Sequence, residues 1–184
     1  EVVLSPPTNK EILKRGIEFS VDDACLPIKI FHGHVADLIG KVDIIYIPRI
    51  ISIEPKEYIC PKFLGLPDMI RNSIPGLPYV MDTELNLYRG KSKILDHIFK
   101  LGEVLNVNKS RTLVAYYKAL KAQKQFEHQL IKKSIIPPDL LGKANETLND
   151  QMFKKSPGHI KVLLLGHNYN IYDEVWADGL SAEL

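Results

Sequence analysis

Cys25 and Cys60 are the two cysteines of a 184-residue chain. They stand in Cys25-Leu26-Pro27-Ile28-Lys29 and Cys60-Pro61-Lys62, each after an apolar strand-like run and each at the predicted opening of a helix. A thiol at a helix start meets the positive end of the macrodipole and N–H groups without helical partners, which favours thiolate. Lys29 and Lys62 add positive charge beside each station. Thiolates ligate iron–sulfur clusters and structural zinc, and they carry redox chemistry. The 35-residue separation of the cysteines is not a short metal-knuckle spacing. Spacing alone therefore balances a metal or redox pair against two small buried hydrophobes.

Other residues qualify as lesser candidates. His32 and His34 flank Gly33, but an i, i+2 pair does not share a helix face. Each is read first as a hydrogen-bonded structural histidine, with His34 available to a cleft. Gly33 in mid-helix costs roughly 1 kcal/mol, which points to close packing or a ligand approach. Arg49 and Lys56 lie in the segment before Cys60 and could meet an anion such as a CoA phosphate. Solvated loop charges are the plainer reading. The turn Gly166-His167-Asn168-Tyr169-Asn170 offers polar groups to a phosphate or carbonyl, yet no Walker or dinucleotide pattern accompanies it. A capped strand-to-helix turn accounts for it equally well. Tyr116 and Tyr117 read as packing residues.

The elements that must position these residues alternate. Strands are expected at 2–4, 17–20, 42–48, 78–82 and 160–166. Helices are expected at 10–15, with Gly16 as the stop, at 25–39 closed by Gly40, and at 60–73 with Pro67 breaking or kinking it. Further helices cover about 92–105 and 109–133, the second with a mostly apolar side. A loop is expected at 49–59, and a polar linker at 138–157 with a short helix near 146–153. Alternation of this kind predicts an α/β fold: a Rossmann-like open, mainly parallel sheet of about five strands with flanking helices. A helical insertion spans about 90–137. The near-continuous apolar runs at 42–48 and 160–166 fit strands covered on both faces. Ligands of such sheets bind beyond the carboxyl ends of the strands, and each polar, glycine- or proline-marked segment follows a predicted strand. The chain reads as one domain, and as a fragment of a longer two-lobed protein.

Composition narrows the function. With 45% hydrophobic residues the chain can build a core, and a net charge of +2 calls for neither nucleic acid nor an anionic membrane. No apolar run reaches the roughly 20 residues of a membrane span. Two cysteines are too few for a disulfide scaffold, so a reducing cytoplasm is expected.

Taken together, Cys25-x-Pro27-x-Lys29 with His32-Gly33-His34, Asp43 to Arg49, Cys60-Pro61-Lys62-Phe63 with Gly65-Leu66-Pro67-Asp68, and Gly166 to Asp173 resemble the acyl-CoA dehydratase activase-related family. The resemblance runs in order from about Ser5 to Asp173. More distantly the family is similar to subunits of 2-hydroxyacyl-CoA dehydratases, with Rossmann-like lobes and a [4Fe–4S] cluster held by cysteines at helix starts. The resemblance implies that Cys25 and Cys60 are cluster ligands, with a further ligand from outside this chain's cysteines. It implies a low-potential iron–sulfur redox component passing electrons towards an acyl-CoA, with an ATP-dependent activase or a dehydratase subunit as partner. Lys29, His34, Arg49, Lys62, His167, Asn168 and Tyr169 would then surround the site. A non-catalytic partner-binding module of such a system, or a zinc- or disulfide-holding protein, are the other readings.

Overall fold

The structure, a computed structural model, describes residues 2–88, 90 and 93–133. The chain divides into one compact unit of residues 1–116 and another of residues 117–184. Helix α1 (Lys10–Glu18) opens at Asn9, whose Oδ1 accepts from the N–H groups of Glu11 and Ile12, both at 3.0 Å. That satisfies two of the orphan donors of the first turn. Helix α2 (Leu26–Leu38) follows Cys25, and α3 (Pro61–Ser73) follows Cys60. Helix α4 spans Ile94–Val104, and α5 runs Lys109–Lys133.

Four short strands complete the described part: β1 (Ile44–Tyr46), β2 (Arg49–Ser52), β3 (Tyr79–Met81) and β4 (Glu84–Asn86). They form two parallel pairs, β1 with β3 and β2 with β4. The register joins them, because Ile44 faces Tyr79 and Arg49 faces Glu84, the same 35-residue offset. The backbone bonds also continue across the gap, from Ile47 N–H to Met81 O (2.9 Å) and from Arg49 N–H to Thr83 O (3.2 Å). Pro48 falls between those two donors. In a parallel pair only alternate residues donate to a given neighbour, so its missing N–H breaks nothing. With α3 as the crossover, residues 44–86 are one βαβ unit.

The expected five-stranded sheet is thus not what the described residues form. Residues 2–4 are exposed coil, and 17–20 lie at and beyond the end of α1 rather than in a strand. The expected stop at Gly16 fails because Gly16 is a contact surface. It is buried inside α1, and a Cβ there would lie 2.7 Å from the Lys29 carbonyl carbon of α2. Gly33 of α2 answers it, where a Cβ would lie 2.8 Å from the Ile12 carbonyl carbon. The two glycines let α1 and α2 approach backbone to backbone. Residues 49–52, expected as loop, are β2. Helix α3 runs through Pro67 without ending there. The expected strand at 160–166, the linker with its short helix, and the turn at 166–173 lie outside the described residues.

One core joins α2, β1, α3 and β3. Ala24, Ile28, Val35 and Ala36 of α2 and its approach pack with Ile45 and Ile47, with Leu66, Ile70 and Ile74 of α3, and with Val80 of β3. Burial of such side chains contributes about 1.5–3 kcal/mol each. On the opposite side of β1 and β3, Ile44 and Tyr79 are exposed, while Met81 is buried and the Tyr46 hydroxyl meets His97.

Candidate functional site

Both cysteines are free, exposed thiols. Cys25 is the N-cap of α2, with extended backbone (φ −65°, ψ 152°) and Pro27 in the first turn. Its carbonyl accepts from Ile28 N–H at 3.0 Å and Lys29 N–H at 3.1 Å. Cys60 is the N-cap of α3, followed at once by Pro61, and its carbonyl accepts from Phe63 N–H at 3.0 Å. Proline suits these positions because its fixed φ matches the helix and its absent N–H would have been unpaired. Neither thiol bonds to the helix it opens. Helices α2 and α3 touch and share the core described above. Cys60 follows β2 through the loop at 53–59, whereas Cys25 follows α1 and not the expected strand.

The surrounding candidates fare differently. Lys29 turns back, its Nζ donating to Asp22 O at 2.9 Å. Lys62 is half-buried. His34 is held between two hydroxyls, Ser5 at 2.9 Å from Nδ1 and Thr8 at 3.2 Å from Nε2, which docks the 5–8 turn on α2. His32 is buried, its Nδ1 bonded to Ile28 O at 2.7 Å, so it is the structural histidine expected. Burial lowers its pKa from the ordinary 6.5, opposed by that bond. Lys56 sits in the left-handed region (φ 65°), its N–H donating to Tyr88 O at 3.1 Å. His167, Asn168 and Tyr169 lie outside the described residues.

Arg49 is not a waiting anion receptor. Its Nη1 donates to Asp68 Oδ2 (2.7 Å) and Leu64 O (2.9 Å), and its Nη2 donates to Asp68 Oδ1 and Asp82 Oδ2, both at 3.0 Å. Those four bonds use the four terminal N–H groups of the guanidinium. Arg71 completes the cluster, donating to Asp82 Oδ2 and Val80 O, both at 2.9 Å. The bonds from Asp68 and then Asp82 push the Arg49 pKa further up. Arg49 in turn holds the Asp68 carboxyl below the usual range, and Arg71, with Arg49, does the same for Asp82. Nothing local in the sequence foretold this cluster. Asp68 and Arg71 at i, i+3 were its one visible signal.

A cleft of about 490 Å³ lies beside β4 and the start of α4, lined by Tyr58, Glu84, Tyr88, Lys93, His97 and Lys100 among others. Tyr58 and Tyr88 stack with centroids 4.5 Å apart. His97 Nδ1 donates to Glu84 O at 2.8 Å, which leaves Nε2 of the neutral ring to accept from the Tyr46 hydroxyl at 3.2 Å.

The described residues contain no group of three or more histidine, cysteine or acidic side chains able to hold a metal ion. The family model of the CoA enzyme activase uncharacterised domain matches residues 1–184. The chain belongs to that family. The match bears out the resemblance seen in the sequence and ties this activase-related domain to CoA enzyme activase systems. No curated protein and no solved structure matches it. Among the described residues no helix is long and apolar enough to cross a membrane.

Proposed function

We propose that this CoA enzyme activase domain is an iron–sulfur redox component serving low-potential electron transfer towards an acyl-CoA. The observation that carries the reading is the matched pair of stations. Both thiols of the chain stand exposed at proline-marked N-caps of two helices that share one core. The donor set fits iron–sulfur chemistry in kind, since thiolates are its usual ligands. It falls short in number, so Cys25 and Cys60 would hold one side of a [4Fe–4S] cluster and further ligands would come from outside the described residues. When bound, such a cluster supplies one-electron chemistry. The chain's own part is to present two sulfur atoms at the starts of two helices that share one core. His34, anchored by Ser5 and Thr8, belongs to the same helix as Cys25. An ATP-dependent activase or a dehydratase subunit is the partner this reading implies.

Iron and acid-labile sulfide are measured in the full protein purified without oxygen. Stoichiometric iron and sulfide with a broad visible absorption, lost in Cys25→Ser and in Cys60→Ser, is the expected result. A colourless, iron-free protein under those conditions overturns it. The lack of a three-ligand group among the described residues favours a second reading, a non-catalytic module that binds an activase or dehydratase through its α/β surface. Partner binding undiminished in the double cysteine variant is the outcome that would select it.

A further inference from the structure

The geometry points to Arg49 as a splint across the proline position of α3, and through it as the positioning residue of Cys60. Pro67 has no N–H, so the Phe63 carbonyl receives no bond from the residue four ahead. That gap falls between the first turn of α3, which begins at Cys60, and the rest of the helix. At its entry the Cys60 carbonyl accepts from Phe63 N–H, the tighter three-residue bond. At α2 the Cys25 carbonyl accepts from Ile28 and Lys29.

Arg49 spans the gap from outside the helix. One nitrogen, Nη1, grips Leu64 O before Pro67 at 2.9 Å and Asp68 Oδ2 after it at 2.7 Å. Nη2 closes the fork on Asp68 Oδ1 and ties it to Asp82 at 3.0 Å. The base of the fork is fixed, because the Arg49 backbone N–H donates to Thr83 O in the strand pair. Arg71 anchors the next turn to Asp82 and Val80 O. The first turn of α3, with Cys60 at its head, is thereby referenced to the carboxyl ends of β1 and β3. A lysine cannot copy this, since a single ammonium lacks the planar fork that reaches a carbonyl and a bidentate carboxylate together. The inference concerns the Cys60 station used in the proposed function, but it is read on the thiol and the backbone with no metal present.

Amide hydrogen exchange of the full chain, followed by mass spectrometry, tests it. Arg49→Gln is expected to speed exchange of residues 62–68 by about tenfold relative to the amides of α2. Arg49→Lys recovers only part of the protection. Pro67→Ala, which returns an N–H to the Phe63 carbonyl, is expected to restore protection in the Arg49→Gln background. The rate at which iodoacetamide alkylates Cys60, divided by that of Cys25 in the same sample, should shift at least about threefold and return in the double variant. Unchanged exchange, equal acceleration in α2 and α3, or no rescue by Pro67→Ala overturns the inference. Should Arg49→Gln not fold, Arg49→Lys with and without Pro67→Ala gives the same local comparison. Because these readouts need no iron, an iron-free protein that obeys them defeats the proposed function alone.

Discussion

Gly33→Ala should destabilise the domain while Gly65→Ala stabilises it, although both place one methyl group in a helix interior. Helix propensity favours each change by roughly 1 kcal/mol. At Gly65 nothing lies within 4 Å of the added Cβ, so that gain stands. At Gly33 the new carbon would overlap the Ile12 carbonyl oxygen, with the Ile12 carbonyl carbon at 2.8 Å and Cγ2 at 2.9 Å. Two of those atoms are backbone of α1, which cannot swing aside as a side-chain tip can. Overpacking of this kind costs about 1–3 kcal/mol, and relief requires α1 and α2 to separate. The rigid obstacle puts the cost at the upper end, so the net loss is about 2 kcal/mol. The two variants should then differ by about 3 kcal/mol, or roughly 6–12 °C in Tm for a chain of this size. Thermal and urea unfolding followed by circular dichroism at 222 nm would measure it. A Gly33→Ala protein as stable as Gly65→Ala would refute the backbone contact between α1 and α2.

Three further outcomes follow from individual groups. Cys25→Ser and Cys60→Ser should each match the parent in urea unfolding or exceed it by up to about 1 kcal/mol, because serine caps a helix better than an unbonded thiol; a loss above about 2 kcal/mol would mean that the sulfur packs. His32 is a base kept neutral by burial, with a folded pKa below 6.5. The unfolded chain therefore takes up its proton first, and stability is complete above 6.5 and declines as pH falls through the folded value. His32→Leu should flatten the change in urea midpoint between about pH 7.5 and pH 5, and an unaltered slope would contradict the assignment. Partial burial of its hydroxyl raises the Tyr46 pKa above the ordinary 10. Tyr46→Phe should remove one late-titrating phenol from the ultraviolet titration and cost about 1 kcal/mol through the lost bond to His97.

The helices were legible because their signals are local. Proline in the first turn, a cysteine before it and apolar spacing behind it placed α2 and α3 within a residue of their observed starts, and α5 within its observed bounds. The failures arose where a distant contact decides. Ile17-Glu18-Phe19-Ser20 alternates like a strand, but the Asn9 cap and the seat of Gly16 on Lys29 carry α1 on to Glu18. Pro48 reads as the end of a strand, yet the ladder takes its donors from Ile47 and Arg49 and needs none at Pro48, so β2 continues beyond it. Arg49 showed a charge whose partners lie on α3 and after β3, at separations of 19 and 33 residues. A one-dimensional reading shows that such a charge exists and gives no view of what neutralises it.

The cysteines argue for function through what they fail to do. Free cysteine is among the most often buried residue types, and the packing alternative required these two to be interior. Both are exposed. At N-caps, Ser, Thr, Asp and Asn are the residues that stabilise, by about 1 kcal/mol each. The chain uses one of them at α1, where Asn9 satisfies two backbone donors. At α2 and α3 it places a thiol that satisfies none, twice, and follows each with proline. Local rules broken in the same way at two helices, with no gain in packing, support the proposed reading of these positions. Under the proposed function, the two exposed sulfur atoms stand at helix starts, where the positive end of the macrodipole favours thiolate. The Arg49 fork then has a reason to exist. On the inference drawn above, it secures the helix start that carries Cys60, where Pro67 removes a rung.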